Sequence, residues 1–209
     1  MAIKINGVDM PTTINEKTID PQGAYVLADK PELWEPQRSN NFELIVNVGT
    51  LNRAGSLGNE TNAPIDGKYA QEVLRISVVS APIPHFTQSV IEVRRGNSSI
   101  KAAGIPTFGE GTIVVNDFIG ADTKAILMAW QNLSYNVRTE KVGLMADYKK
   151  DATLVEYTPD YQAVRKWHLY GCWVSGLSET EYSNEGNDKK QITCTIQYDR
   201  AMLDTTELV

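Results

Sequence analysis

The sequence predicts a mainly β domain, an antiparallel barrel or sandwich with one flanking helix, preceded by an N-terminal arm. Three observations carry that reading. Short β-branched runs bounded by Gly, Pro and Asn recur from Phe42 to Arg200. A single stretch, about 122–135, repeats apolar residues at helical spacing. Strands follow strands on both sides of that helix, which suits an antiparallel architecture rather than the regular strand–helix alternation of a parallel core.

Residues 1–37 read as the arm. Pro11, Pro21, Pro31 and Pro36 recur among polar residues, with a short strand expected at Ile3–Val8 and a local contact around Trp34. The domain, 38–209, opens with the strand Phe42–Val48. A Gly- and Asn-rich loop over 49–69 follows, long enough to mark an insertion or an interface. Glu72–Val79 reads as the next strand, closed by Pro82 and Pro84. Gln88–Arg94 reads as another, turning at Gly96-Asn97, with further punctuation at Gly104-Ile105-Pro106 and Gly109-Glu110-Gly111.

Thr112–Phe118 resumes the strand pattern. In the helix, Asp122 is the expected N-cap, and Ile126, Leu127, Trp130 and Leu133 form the apolar stripe. Strands return at Ala152–Tyr157, Val164–Val174 and Gln191–Arg200. In the last, Ile192, Cys194, Ile196 and Tyr198 alternate with polar residues, as a strand with one buried face requires.

Composition narrows the function classes. A net charge of −6 over 209 residues opposes a sequence-reading nucleic-acid binder, which needs clustered cations. No stretch approaches the ~20 apolar residues of a membrane-spanning helix. The opening MAIKINGVDMPTT lacks the apolar run of a secretory signal, so folding in a cytoplasm is expected.

Chemistry is not visible. His85 and His168 stand apart from any nucleophile or carboxylate pattern, and no nucleophile elbow, zinc-binding helix or phosphate loop occurs. No enzyme activity, cofactor or metal is expected. If 164–174 and 191–200 pair as a hairpin centred near residue 183, Cys172 and Cys194 fall opposite each other, with Cβ atoms about 4.5–5.5 Å apart. Two packed free thiols are the ordinary state of such a pair in a reducing compartment.

A series of short motifs carries a resemblance. Arg38-Ser39-Asn40-Asn41-Phe42 leads into the first strand, and Asn116-Asp117 ends a later one. The helix closes on Trp130-Gln131, and Tyr148-Lys149-Lys150 follows. Gly171 and Trp173 mark a turn, and Tyr198-Asp199 ends the final strand. In this order they resemble the tail tube proteins of contractile bacteriophages over residues 38–203. The 1–37 arm and the 49–69 loop exceed that family's minimal form, and Val174 stands where a proline often follows the Trp.

The resemblance implies two antiparallel sheets forming a barrel with one helix, as also in the haemolysin-coregulated tube protein of type VI secretion. It implies a homo-hexameric ring stacked into a hollow virion tube. Sheath, tape measure, baseplate and tail-terminator proteins would be the partners, and DNA would pass through the lumen unbound. Glu43, Glu72 and Glu92, expected on strands, are then candidates for an acidic lumen that a polyanion slides past. Leu51, Asn52, Arg53 and Leu57 in the long loop, and Ser178 and Glu181 in the 178–188 loop, are candidates for contacts between rings. The alternatives are a baseplate tube-initiator, a secreted type VI-like tube ring and, from another class, a β-sandwich binding module.

Overall fold

The computed structural model describes residues 3–5, 8–10, 36–51, 64–183 and 188–204, and divides into a unit of Met1–Gln37 and a unit of Arg38–Val209. In the first unit, β1 (Ile3–Ile5) pairs antiparallel with β2 (Val8–Met10), Ile3 opposite Met10. Two short strands thus stand where one was expected. The contact expected around Trp34 lies outside the described residues.

The second unit runs β3 (Phe42–Val46), α1 (Gly67–Ser77), β4 (Val78–Ser80), β5 (Phe86–Arg95), β6 (Ser98–Phe108), β7 (Gly111–Asn116) and α2 (Thr123–Ser134). It continues with β8 (Tyr135–Asn136), β9 (Lys141–Val142), α3 (Met145–Tyr148), β10 (Lys150–Tyr157), β11 (Ala163–Glu179), β12 (Gln191–Gln197) and β13 (Arg200–Asp204). Seven strands form one curled antiparallel sheet, a half-barrel, in the order β3-β10-β11-β12-β7-β4, with β13 also on β11.

The seventeen-residue β11 joins the two halves of this sheet. Its first part pairs with β10 as far as Cys172, and β12 takes over from Trp173. On β11's other flank β12 and β13 lie end to end, Trp173 opposite Gln197 and Tyr170 opposite Arg200. Gly171 at the joint has φ +69, the left-handed region that costs a residue with a Cβ. A register shift between Val174 and Gly176 adds a further bend.

Alternation then decides which side is core. Ile192, Cys194 and Ile196 of β12 are buried beside Ile113 and Val115 of β7, Val174 of β11 and, across the joint, Leu154, Leu44 and Leu169. α1 and α2 cover this face with Val73, Leu74, Ile126, Leu127 and Trp130. Full burial of side chains of this size contributes about 1.5–3 kcal/mol each, so the helices are held by the sheet. Ser77 and Thr123, both buried, share a hydroxyl hydrogen bond of 3.2 Å that links the two helices.

Several expectations need correction. Glu72–Val79 is a strand only at its last two residues, where β4 begins: helix α1 occupies it to Ser77, capped by Asp66, whose carboxylate accepts from the Tyr69 N–H at 3.3 Å. The β-branched Val73 and Ile76 mimic a strand, yet Ala70, Val73, Leu74 and Ser77 fall on one helical face and are the buried ones. The 49–69 loop is therefore shorter, and Leu51 pairs with Ile65 across it, both buried.

Gly104-Ile105-Pro106 does not interrupt the chain: β6 runs through it, opposite a register shift between Gln88 and Val90. Asp122 stands at the N-cap position of α2 but makes no capping bond with its side chain. Leu177, not Cys172, lies opposite Cys194, because the hairpin turns later than residue 183. Both cysteines are free and buried.

Candidate functional site

The most exposed part of the second unit is the β5–β6 ribbon. Among the described residues these strands pair only with each other. The turn at Gly96, φ +58, and Asn97 closes them into a hairpin. One face carries Val93 opposite Ile100 and Ile91 opposite Ala102. The other carries Val90 opposite Ala103, Glu92 opposite Lys101 and Arg94 opposite Ser99. Val90, Ile91, Val93, Ile100 and Ile105 are 49–80% exposed.

A two-stranded ribbon in water is marginal, and its unpaired edges are templates for other strands. The exposed apolar run of Ile91, Val93, Ile100 and Ala102 on one face adds to the cost of leaving it uncovered. Arg94, Arg95 and Lys101 against the single Glu92 make the ribbon basic within a chain of net charge −6, so acidic surface of another copy complements it.

The motif residues that are spread along the sequence converge at the sheet joint. The Trp130 indole N–H donates to the Tyr148 carbonyl at 3.0 Å. The Tyr148 ring meets Trp173 edge-on, centroids 5.8 Å apart. Lys149 Nζ binds both carboxylate oxygens of Asp199, and the Gly171 N–H donates to Asp151 at 3.3 Å. A Cβ on Gly171 would strike the Asp199 carboxylate. This clasp ties α2, α3, β10 and the β12–β13 junction to the bend of β11. Its chemistry is structural.

The other expected residues scatter. Glu43 is engaged by Arg75 and accepts from the Tyr157 hydroxyl at 2.8 Å. That carboxylate also holds the Arg75 guanidinium above its usual range, while burial and the same carboxylate raise Tyr157. Glu72 lies on α1 instead of a strand, and Glu92 lies on the ribbon. Leu51 is buried in the subunit's own core. Asn52, Arg53 and Leu57 lie outside the described residues. Ser178 sits on β11 opposite Thr193, and Glu181 is exposed just beyond β11.

Sequence reasoning missed the ribbon as a site, because exposed apolar alternation and buried apolar alternation look alike. It also missed the ion-pair group at one end of β11. There Lys190 reaches Glu179 at 2.8 Å and the Tyr182 hydroxyl at 2.6 Å, and Lys124 reaches Glu179 at 2.7 Å. Bonds from these two lysines hold the Glu179 carboxyl below its ordinary range.

Among the described residues no group of His, Cys, Asp and Glu could hold a metal ion, and no helix is long and apolar enough to cross a membrane. Burial pushes the thiols of Cys172 and Cys194 up to about 12, far from nucleophilic.

No protein-family model matches the sequence. The chain is 27% identical to tail tube protein gp19 of Enterobacteria phage T4 over 107 residues, 49% of this chain and 66% of the relative. The gp19 protein of Enterobacteria phage T6 matches to the same extent. The match thus spans just under two thirds of those relatives.

Among solved structures, the fold is similar to the sheath–tube complex of an extracellular contractile injection system (PVC) at TM-score 0.56. That likeness covers 88% of this chain and 98% of the other at 17% identity. It is similar to the tube-terminating cap of the anti-feeding prophage at TM-score 0.55, covering 82% and 92% at 17% identity. The PVC sheath/tube terminator also reaches 0.55, covering 81% and 97% at 18% identity.

Proposed function

We propose that this chain, a homologue of the contractile-tail tube proteins, is the structural subunit of a bacteriophage tail tube. Copies associate into hexameric rings, and the rings stack into a hollow conduit in the virion tail. One observation carries the reading: a subunit related to tube proteins extends a basic, two-faced ribbon that nothing in its own described chain covers. Docked on a neighbouring copy, each buried Ile or Val contributes about 1.5–3 kcal/mol before the cost of association.

Sheath surrounds the tube, tape measure protein sets its length, and baseplate and terminator proteins close its ends. DNA passes through the lumen without specific binding. Assembly takes place in the host cytoplasm. The chain does no catalysis: its motif residues spend their side chains on the clasp. A terminating or initiating ring is the second reading, favoured by the equal likeness to two terminators.

Sedimentation of the purified chain at rising concentration tests the proposal. Self-association into large particles that electron microscopy resolves as tubes is expected. Single rings that never stack favour the terminator reading, and a monomer at every concentration contradicts both.

A further inference from the structure

The half of the sheet formed by β4, β7, β12 and the second part of β11 has two faces of different chemistry. One is the apolar core face. The other carries Thr112, Val114 and Asn116 of β7, Gln191, Thr193, Thr195 and Gln197 of β12, and Ser178 of β11, in ladder register. Thr112 pairs with Thr195, and Thr193 lies between Val114 and Ser178. The Gln191 amide donates to Asn116 at 3.3 Å, and Gln197 reaches Glu110 at the border at 2.9 Å. Across these strands the face carries no charged side chain among the described residues.

Hydroxyl and amide groups buried against another protein without partners each cost on the order of 1–3 kcal/mol, so the face stays wet. A wet protein surface ordinarily mixes Lys, Arg, Glu and Asp. A broad face that is wet yet uncharged suits a neighbour that any cation would hold. Polyanions are such a neighbour, because each phosphate neutralised by Lys or Arg adds to binding. Two other exposed faces do not qualify: the ribbon bears Arg94, Arg95 and Lys101, and the same side of the other sheet half mixes Lys166, His168 and Arg200 with Glu43 and Asp204.

We infer that the Thr/Asn/Gln face of β7, β12 and the end of β11 lines the conduit, giving a moving polyanion a neutral hydroxyl and amide wall. The inference rests on the tube reading. The lining is then uncharged rather than a row of acids at Glu43, Glu72 and Glu92, of which Glu43 and Glu72 are both already paired with Arg75.

Thr195→Cys places a thiol at the centre of this face, while native Cys172 and Cys194 remain buried and unreactive. Tubes of the variant are treated with a small maleimide or with a bulky polyethylene glycol maleimide. The free subunit accepts both reagents. Assembled tubes are expected to accept the small reagent and to lose labelling by the bulky one. Bulky labelling retained in tubes places the face outside and overturns the inference. Loss of both labels places it in a subunit contact and also overturns it. Thr193→Cys serves if Thr195→Cys does not assemble. Failure of the unmodified chain to form tubes overturns the tube reading, and the lining with it.

Discussion

Lys149 Nζ lies 2.8 Å and 2.6 Å from the two carboxylate oxygens of Asp199, bridging the start of β10 to the junction of β12 and β13. Gly171 sits beside that carboxylate with φ +69, and the Asp199 N–H donates to the Tyr170 carbonyl at 3.0 Å. The pair therefore fixes the place where the sheet changes partners. Its Asp side chain is more than half exposed, so the ion pair itself contributes only about 0.5–1 kcal/mol. The backbone geometry it borders contributes more.

Gly171→Ala is accordingly expected to cost about 2 kcal/mol or more, combining a left-handed φ with a clash against Asp199. Lys149→Met is expected to cost about 0.5–1 kcal/mol. Urea unfolding of the two variants beside the parent protein checks the order. Equal losses would show that the salt bridge and not the backbone dominates the bend.

Trp130 is almost completely buried and spends its indole N–H on Tyr148. Trp130→Phe keeps most of the apolar volume and leaves the Tyr148 carbonyl without that donor. The expected loss is about 1–3 kcal/mol, against about 3–5 kcal/mol for Trp130→Ala. Thermal unfolding of the two variants separates the hydrogen bond from the packing.

The ribbon behaves in the opposite way. Ile91→Ser with Ile100→Ser alters exposed positions that touch no core, so subunit stability should move by no more than about 0.5 kcal/mol. Assembly into large particles should be lost. Sedimentation and urea unfolding on one preparation give both readouts, and assembly at the parent concentration would remove the ribbon from the interface.

Alkaline pH should destabilise the fold through the buried thiols. Burial raises both from 9.0 to about 12, with Asp151 adding to the rise at Cys172. The unfolded chain therefore releases these protons first. The thiol contribution is complete below about pH 9 and is lost as pH rises towards 12, by about 1.4 kcal/mol per pH unit for each group. Cys194→Val removes one share, so its stability should fall less steeply over that window than the parent's.

Much of this was legible in the residues. The alternation of Ile192, Cys194, Ile196 and Tyr198 states which side of β12 is buried, and the spacing of Ile126, Leu127 and Trp130 states how α2 faces the sheet. Helix α1 was hidden because Ile76 is β-branched but faces solvent, whereas the cap at Asp66 lies in a stretch that reads as loop. The Cys172–Cys194 register failed because the turn falls beyond residue 183 and a bulge at Val174–Gly176 shifts the ladder. Which face carried a site was least legible. Val90, Ile91 and Val93 have the pattern of a core strand, and only the fold leaves them outside. The clasp was visible as motifs without their meeting point, since residues as distant as Trp130 and Asp199 are joined by tertiary pairing.

End-on electron-microscopy averages of the purified, concentrated chain test the central claim most directly. Hollow annuli with six-fold symmetry that stack into tubes are the predicted result. Particles that remain single subunits at every concentration, or filaments without a lumen, would contradict the account.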